Sequence, residues 1–273
     1  MDLEKAFRSF GLSYHHDHLT TAIKHFGPLK DKRVIEIGGC LPPEIVCEML
    51  EVRSWIGLDK SDYWTESGDD NPSRLAQASS IPLAGFSLKD ADYACLEGDV
   101  LDLPPTFMGQ FDLVFSTSAF EHVADIRGTV QTASQLLKAG GGLFAVAMPI
   151  WPSSRGHHLP PVVCQDEVFS FTNPPIPDWA HLYMEPAEMA ANLSLWLPRE
   201  VVDRIVYMCF DSPHINRAFV EDYEDALSSA DFSERHVIGV PDRPVPIDIR
   251  ARIEARQGKC QLEQSGICLI SRR

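Results

Sequence analysis

Arg33-Val34-Ile35-Glu36-Ile37-Gly38-Gly39-Cys40-Leu41-Pro42-Pro43-Glu44-Ile45-Val46 reads as a buried strand, a tight glycine turn and a helix start in immediate succession. Val34, Ile35 and Ile37 give the β-branched run of a strand covered on both faces. Gly38 and Gly39 permit positive φ and let a ligand approach the backbone closely. Glu36 interrupts the run. A carboxylate near the end of a central strand is costly to bury without a partner, and a ligand hydroxyl or ammonium would supply one. Pro42 and Pro43 suit the first turn of a helix, and Glu44 complements the positive end of its dipole. The combination predicts a nucleotide-type ligand site. A dinucleotide fingerprint would need G-x-G-x-x-G, which residues 38–43 do not provide.

The chain of 273 residues, 44% hydrophobic, is long enough to bury one substantial core, and one domain with an elaboration is expected. A net charge of −15 disfavours nucleic acid or an anionic membrane as main partner, since both select basic surface, and favours a small molecule. The 7 cysteines form no C-x-x-C pair and are odd in number, as expected of reduced thiols in the cytoplasm. No run approaches the roughly 20 apolar residues needed to span a bilayer, and no signal region opens the chain. The sequence leaves open whether the chain forms a homo-oligomer.

Residues 1–31 predict one or two helices anchored by Phe7, Phe10, Leu12, Leu19, Ile23 and Phe26. Within them Tyr14-His15-His16-Asp17-His18 has three readings: a metal site, an active-site lining or a polar surface. Ser54-Trp55-Ile56-Gly57-Leu58-Asp59 is a second strand ending in an acid. Asp59 follows Glu36 by 23 residues, the return distance that brings an acid to a ribose in a βαβ unit. Residues 60–90 read as an insertion with a turn cluster at Ser67-Gly68-Asp69-Asp70-Asn71-Pro72. Further strands are expected at 93–97 and 111–116, a helix at 126–138, and a buried strand at 143–149. Residues 150–213 hold Trp151, Trp179 and Trp196 and many prolines, a composition suited to a substrate cap. Helices near 186–195, 215–230 and 247–256 and strands at 236–240 and 266–270 complete the pattern.

Five segments in order resemble class I S-adenosylmethionine (SAM) dependent methyltransferases of the small-molecule type. They are the strand with E-x-G at 36–38, Asp59, Gly98-Asp99-Val100, Phe111-Asp112-Leu113-Val114 followed by Glu121-His122-Val123, and Leu136-Leu137-Lys138 before Gly140-Gly141. The second glycine of the family's E-x-G-x-G falls on Cys40. The resemblance covers residues 33–149 and implies a Rossmann-like sheet of seven mostly parallel strands with helices on both faces. In it the last strand lies antiparallel beside the fifth. The whole of 1–273 would then be one methyltransferase domain, with an N-terminal helical segment at 1–31 and a cap inserted at about 150–213.

The resemblance implies SAM as cofactor, with Glu36, Gly38 and Gly39 among the residues that bind it and Asp59 on the ribose hydroxyls. Asp99 would take the adenine amine, Val100 would cover the ring, and Ser116, with Thr117 and Ser118, would line the methionine end. Glu121 and His122 read as braces of the following loop. Methyl transfer from a sulfonium needs little beyond orientation, but a hydroxyl acceptor needs a base, and histidine has a suitable pKa. His157 and His158 in the cap are the expected bases, and His181 a substrate contact, all three being catalytic candidates. Tying the cap together is their alternative role. A metal site from these histidines with Asp178 matches no standard ligand spacing, so no metal is assigned. The expected activity is methylation of a small-molecule hydroxyl, of a sugar or secondary metabolite. The alternatives are a non-catalytic SAM-binding partner or regulator, and an NAD-linked enzyme, which the missing glycine disfavours.

Overall fold

The computed structural model describes residues 2–60 and 80–273. The turn cluster expected at 67–72 lies outside the described residues. Among the described residues the strands are β1 (Arg33–Ile37), β2 (Ser54–Asp59), β3 (Ile81–Pro82), β4 (Tyr93–Glu97), β5 (Phe111–Thr117), β6 (Leu137–Ala147), β7 (Val162–Cys164), β8 (Glu167–Phe169), β9 (Glu234–Pro241) and β10 (Gln264–Arg272). Eight of them form one sheet in the order β3-β4-β2-β1-β5-β6-β10-β9, and β7 and β8 form a separate hairpin. β1 through β6 run parallel, and β10 enters antiparallel beside β6 with Ile267 opposite Ala147. The eighth strand exceeds the expected seven because β3 adds two residues at the edge, pairing with Leu96 and Glu97. Pro82, which has no N–H to give, is tolerated there because an edge needs bonds on one side only.

Helices cover both faces. α1 (Leu3–Ser9) and α2 (Ser13–Phe26) bring Phe7, Leu19 and Ala22 onto one face, where they pack with Val34, Trp55, Phe115 and Phe144. α3 (Ile126–Leu136) carries Ile126, Val130, Ala133 and Leu136 at helical spacing onto the other. The Asp125 side chain accepts from Gly128 N at 2.8 Å and caps that helix. The helix expected after the glycine turn is a short π-helical turn, Glu44–Met49, with Pro43 at its cap.

After β6 come α4 (Ala180–Tyr183), α5 (Pro186–Leu193), α6 (Arg199–Phe210), α7 (Val220–Ser228) and α8 (Ile247–Gln257). Residues of this region build a core separate from the two sheet faces, centred on Trp151, Leu159, Trp179, Met189 and Ile205. Ile253 of α8 and Leu262 join it, so this core draws on residues beyond 213. α7 packs with α3 against the sheet instead. All seven cysteines are free thiols. Among the described residues no helix is long and apolar enough to cross a membrane.

Candidate active site

At the carboxyl ends of β1, β2, β4 and β5 lies a cavity of about 280 Å³, lined among others by Ile37, Leu58, Asp59, Asp99, Val100, Ser118, His122 and His214. A smaller lobe of about 20 Å³ shares Gly38 and Ser118 with it and is bounded by His15, Glu36, Gly39 and Thr117. Open α/β sheets bind ligands at these strand ends. Backbone strain collects here too: Ser118, directly after β5, has φ +51, a left-handed conformation that costs a non-glycine residue about 1 to 2 kcal/mol.

The glycine turn is shaped by contact. Gly38 has φ +84, and a Cβ on it would lie 2.0 Å from the Cβ of Ala119. Cys40, in the family's second glycine position, turns its side chain inward and fills the space above Gly57, whose own Cβ would come within 2.3 Å of it. Its thiol donates to the Tyr93 hydroxyl at 3.2 Å. The turn accommodates Cys40 because β2 lacks a side chain at 57.

Glu36 is buried, and one of its carboxylate oxygens accepts from Leu41 N and Trp55 Nε1, both at 2.7 Å. Burial nevertheless pushes its pKa up to about 7, because the two N–H donors do not fully offset desolvation. Asp59 accepts from Lys60 N at 2.8 Å. Asp99 caps the following turn through Leu101 N at 2.9 Å and pairs with the Lys60 ammonium. Burial would raise its pKa, but those two partners outweigh it and hold the group below the ordinary value.

Of the seven residues expected at the cofactor, Glu36, Gly38, Gly39, Asp59, Asp99 and Val100 border the two lobes. Ser116 does not. It is fully buried within β5, and its hydroxyl donates to the Ile37 carbonyl at 2.7 Å. The residues that reach the lobes are Thr117, the last of β5, whose side chain alternates to the face opposite Ser116, and Ser118, which leaves the strand in a left-handed turn. Thr117 Oγ1 and His15 Nδ1, both of residues at the small lobe, have no hydrogen-bond partner among the described residues. His15 therefore borders the site, whereas His16 pairs with Asp17 at 3.0 Å.

These features fit SAM. The larger lobe, which joins apolar residues to two acids, suits a nucleoside, and the small lobe, with unpartnered polar atoms beside Glu36, suits an amino-acid group. An added Cβ on Gly38 or Gly39 would collide with Ala119 or Glu36 respectively.

The cap histidines fall elsewhere than expected. His157 and His181 stack edge to face at 5.5 Å and border neither lobe. His181 Nε2 donates to the Trp151 carbonyl at 2.9 Å, and His157 Nδ1 accepts from Leu159 N at 3.1 Å. Asp178 is held by Arg155 at 2.9 Å and Arg243 at 2.7 Å. His158 alone of the three approaches the cavity, its ring packed edge to face against His122 with the centroids 4.9 Å apart. His122, expected to brace a loop, lines the cavity while Nδ1 donates to the His214 carbonyl at 2.7 Å. Its neighbour Glu121 is buried, with its pKa raised by burial to about 8.

Burial lowers the pKa of His15, His122, His157, His158 and His181, those of His15 and His181 to about 4. Each contributes stability above the unfolded value near 6.5 that is lost as pH falls toward the folded value. Glu36 and Glu121 act oppositely, since their raised values stabilise the fold at acid pH. With His18, whose pKa burial also lowers, six imidazoles outnumber two carboxyls, and each uncompensated proton is worth about 1.4 kcal/mol per pH unit. Stability measured by urea unfolding is therefore expected to fall as pH drops from about 6.5 toward 5. His181→Gln should flatten that slope. A midpoint that rises with acidification would contradict the burial of these rings.

Residues 47–145, starting just beyond the glycine turn, match the family model described as a methyltransferase domain. No curated protein matches the sequence significantly. Among solved structures, an S-adenosylmethionine dependent methyltransferase from Mesorhizobium loti is 16% identical over 90% of this chain and 93% of its own, with a TM-score of 0.45. A geranyl diphosphate C-methyltransferase from Streptomyces coelicolor A3(2), in complex with Mg2+, geranyl-S-thiolodiphosphate and S-adenosyl-L-homocysteine, is 12% identical over 96% of this chain and 77% of its own, at 0.48. A putative sarcosine dimethylglycine methyltransferase from Galdieria sulphuraria is 12% identical over 96% and 86%, also at 0.48. The matched segment runs from the π-helical turn through β2 into β6, so the residues that match a methyltransferase domain are those that build the sheet beneath the cavity.

Proposed function

We propose that the enzyme methylates a hydroxyl oxygen of a small-molecule acceptor, of the sugar or secondary-metabolite kind, and that the region after β6, from about 150 to 213, caps the acceptor end of the site within a single domain of 1–273. When bound, SAM supplies an electrophilic methyl on a sulfonium. Glu36 and the unpartnered atoms of the small lobe hold its amino-acid end, Asp59 its ribose, and Asp99 with Val100 its adenine. Lys60 then swings off Asp99 to admit the base. The observation that carries the hydroxyl reading is the imidazole of His122 in the lining of the same cavity as Asp59, with the His158 ring edge-to-face against it at a centroid separation of 4.9 Å. A hydroxyl needs a base there, whereas an amine does not. His157 and His181 support the cap from within its own core.

Two measurements test this. Asp59→Ala is expected to weaken SAM binding in calorimetry by about 1 to 3 kcal/mol through loss of charge-assisted ribose bonds, and unchanged affinity in a folded variant would sink the cofactor assignment. Turnover with labelled SAM on panels of hydroxyl, amine and carbon acceptors, with product analysis, identifies the atom methylated. Transfer confined to nitrogen or carbon would overturn the hydroxyl reading.

A further inference from the structure

Glu121, His122 and His158 each place one ligand atom within 4.8 Å of the other two. The first two end β5's following turn, and the third comes from 36 residues later, so the chain brings them together only in the fold. Both rings are oriented from behind. His122 Nδ1 meets the His214 carbonyl at 2.7 Å and His158 Nε2 meets the Pro149 carbonyl at 2.7 Å. A carbonyl only accepts, so these nitrogens carry the protons, and the lone pairs sit on His122 Nε2 and His158 Nδ1. Ring N–H groups anchored on carbonyls in this way are the usual support of metal-bound histidines. Glu121 is 1% exposed; Oε1 accepts weakly from Met148 N at 3.3 Å, and Oε2 has no hydrogen-bond partner among the described residues. Burying a carboxyl oxygen unpaired is costly, and a cation offsets that cost. His158 also holds a left-handed φ of +46, a conformation that needs support from its surroundings.

We propose that Glu121, His122 and His158 bind a divalent first-row transition ion, such as Zn2+, Mn2+ or Fe2+, at the acceptor end of the cavity, where its open positions take the acceptor oxygen. Ligand bonds of about 2.1 Å separate adjacent ligands by about 3 Å and opposite ones by about 4.2 Å, so atoms within 4.8 Å of one another close in by at most about 2 Å when the ion binds. Two imidazoles with one carboxylate favour these ions over Mg2+. The proposal rests on the hydroxyl reading above for its role and on geometry alone for its existence. In it the bound acceptor loses its O–H proton to water, the oxygen forms a bond to the methyl carbon, and the carbon–sulfur bond breaks to leave neutral S-adenosylhomocysteine. His122 and His158 are then ligands rather than bases.

The test is calorimetry of the chelator-treated, reduced full chain with Zn2+, and visible absorption with Co2+. One ion per chain is expected, with Glu121→Gln and His158→Asn each weakening it at least tenfold while SAM affinity and the circular dichroism spectrum stay unchanged. Glutamine matches the shape of the neutral carboxyl, and asparagine tolerates the left-handed backbone, so both variants should fold. The Co2+ spectrum should lack a thiolate charge-transfer band. No stoichiometric ion, binding that neither variant moves, or a thiolate band overturns the metal site. If the ion fails to bind while SAM binds and hydroxyls are methylated, only the metal inference falls. If the ion binds as stated and no hydroxyl is methylated, the ion site stands and the acceptor reading falls.

Discussion

Gly38→Ala is expected to raise the Kd for SAM by at least about 100-fold and to cost about 3 kcal/mol of stability. Two penalties coincide at this residue. Its φ of +84 costs an alanine about 1 to 2 kcal/mol, and the new Cβ would sit 2.0 Å from Ala119 Cβ, a collision of the overpacking kind worth about 1 to 3 kcal/mol. Ala119 cannot yield cheaply, because the residue after it, Phe120, is fully buried in the sheet's core. Relief must therefore come from moving the turn or the loop at 118–119, and both border the cavity. Gly109→Ala is the control: φ is +69 there, and nothing lies within 4 Å of the added atom. It should lose stability through conformation alone and leave SAM affinity unchanged. Equal effects of the two substitutions on SAM binding would show that the glycine turn is not part of the cofactor site.

The sheet was legible because its strands are buried on both faces, and such strands read as near-continuous β-branched and aromatic runs; Ser54–Asp59 and Tyr93–Glu97 fall where those runs predict them. Short or composition-masked elements were not. β3 has two residues and no pattern to detect. α6 was hidden by the prolines and tryptophans around it, although Val201, Val202, Ile205, Met208 and Cys209 already carry a helical stripe. The fit of Cys40 to the turn had a signal in Gly57, since a glycine inside a strand marks the close approach of another group. Ser116 differs from its neighbours because it lies inside β5 with its side chain opposite that of Thr117, while Ser118 has already left the strand in a left-handed turn. The position of His122 had no local signal. It depends on the left-handed Ser118 and on a carbonyl 92 residues away, at His214.

At the acceptor end, His122→Asn is expected to lower kcat by about 10²- to 10⁴-fold while leaving SAM affinity within about twofold. The ring is the imidazole of the chain that both lines the cavity and contacts a cap histidine, and SAM binding requires no proton removal. Burial lowers its pKa, so it is neutral at pH 7 and has a lone pair to give, whether to a proton or to an ion. His158→Asn should follow in the same direction, since it removes the ring that meets His122 edge on. His181→Gln should not: its partners are Trp151 and His157, and its loss should appear in the urea midpoint instead of kcat. The split separates two roles that the histidine-rich sequence 157–181 leaves joined, chemistry at the cavity and support of the cap. If His122→Asn retains full turnover on a hydroxyl acceptor, the acceptor reaches SAM already as an anion, and transfer rests on orientation and exclusion of water.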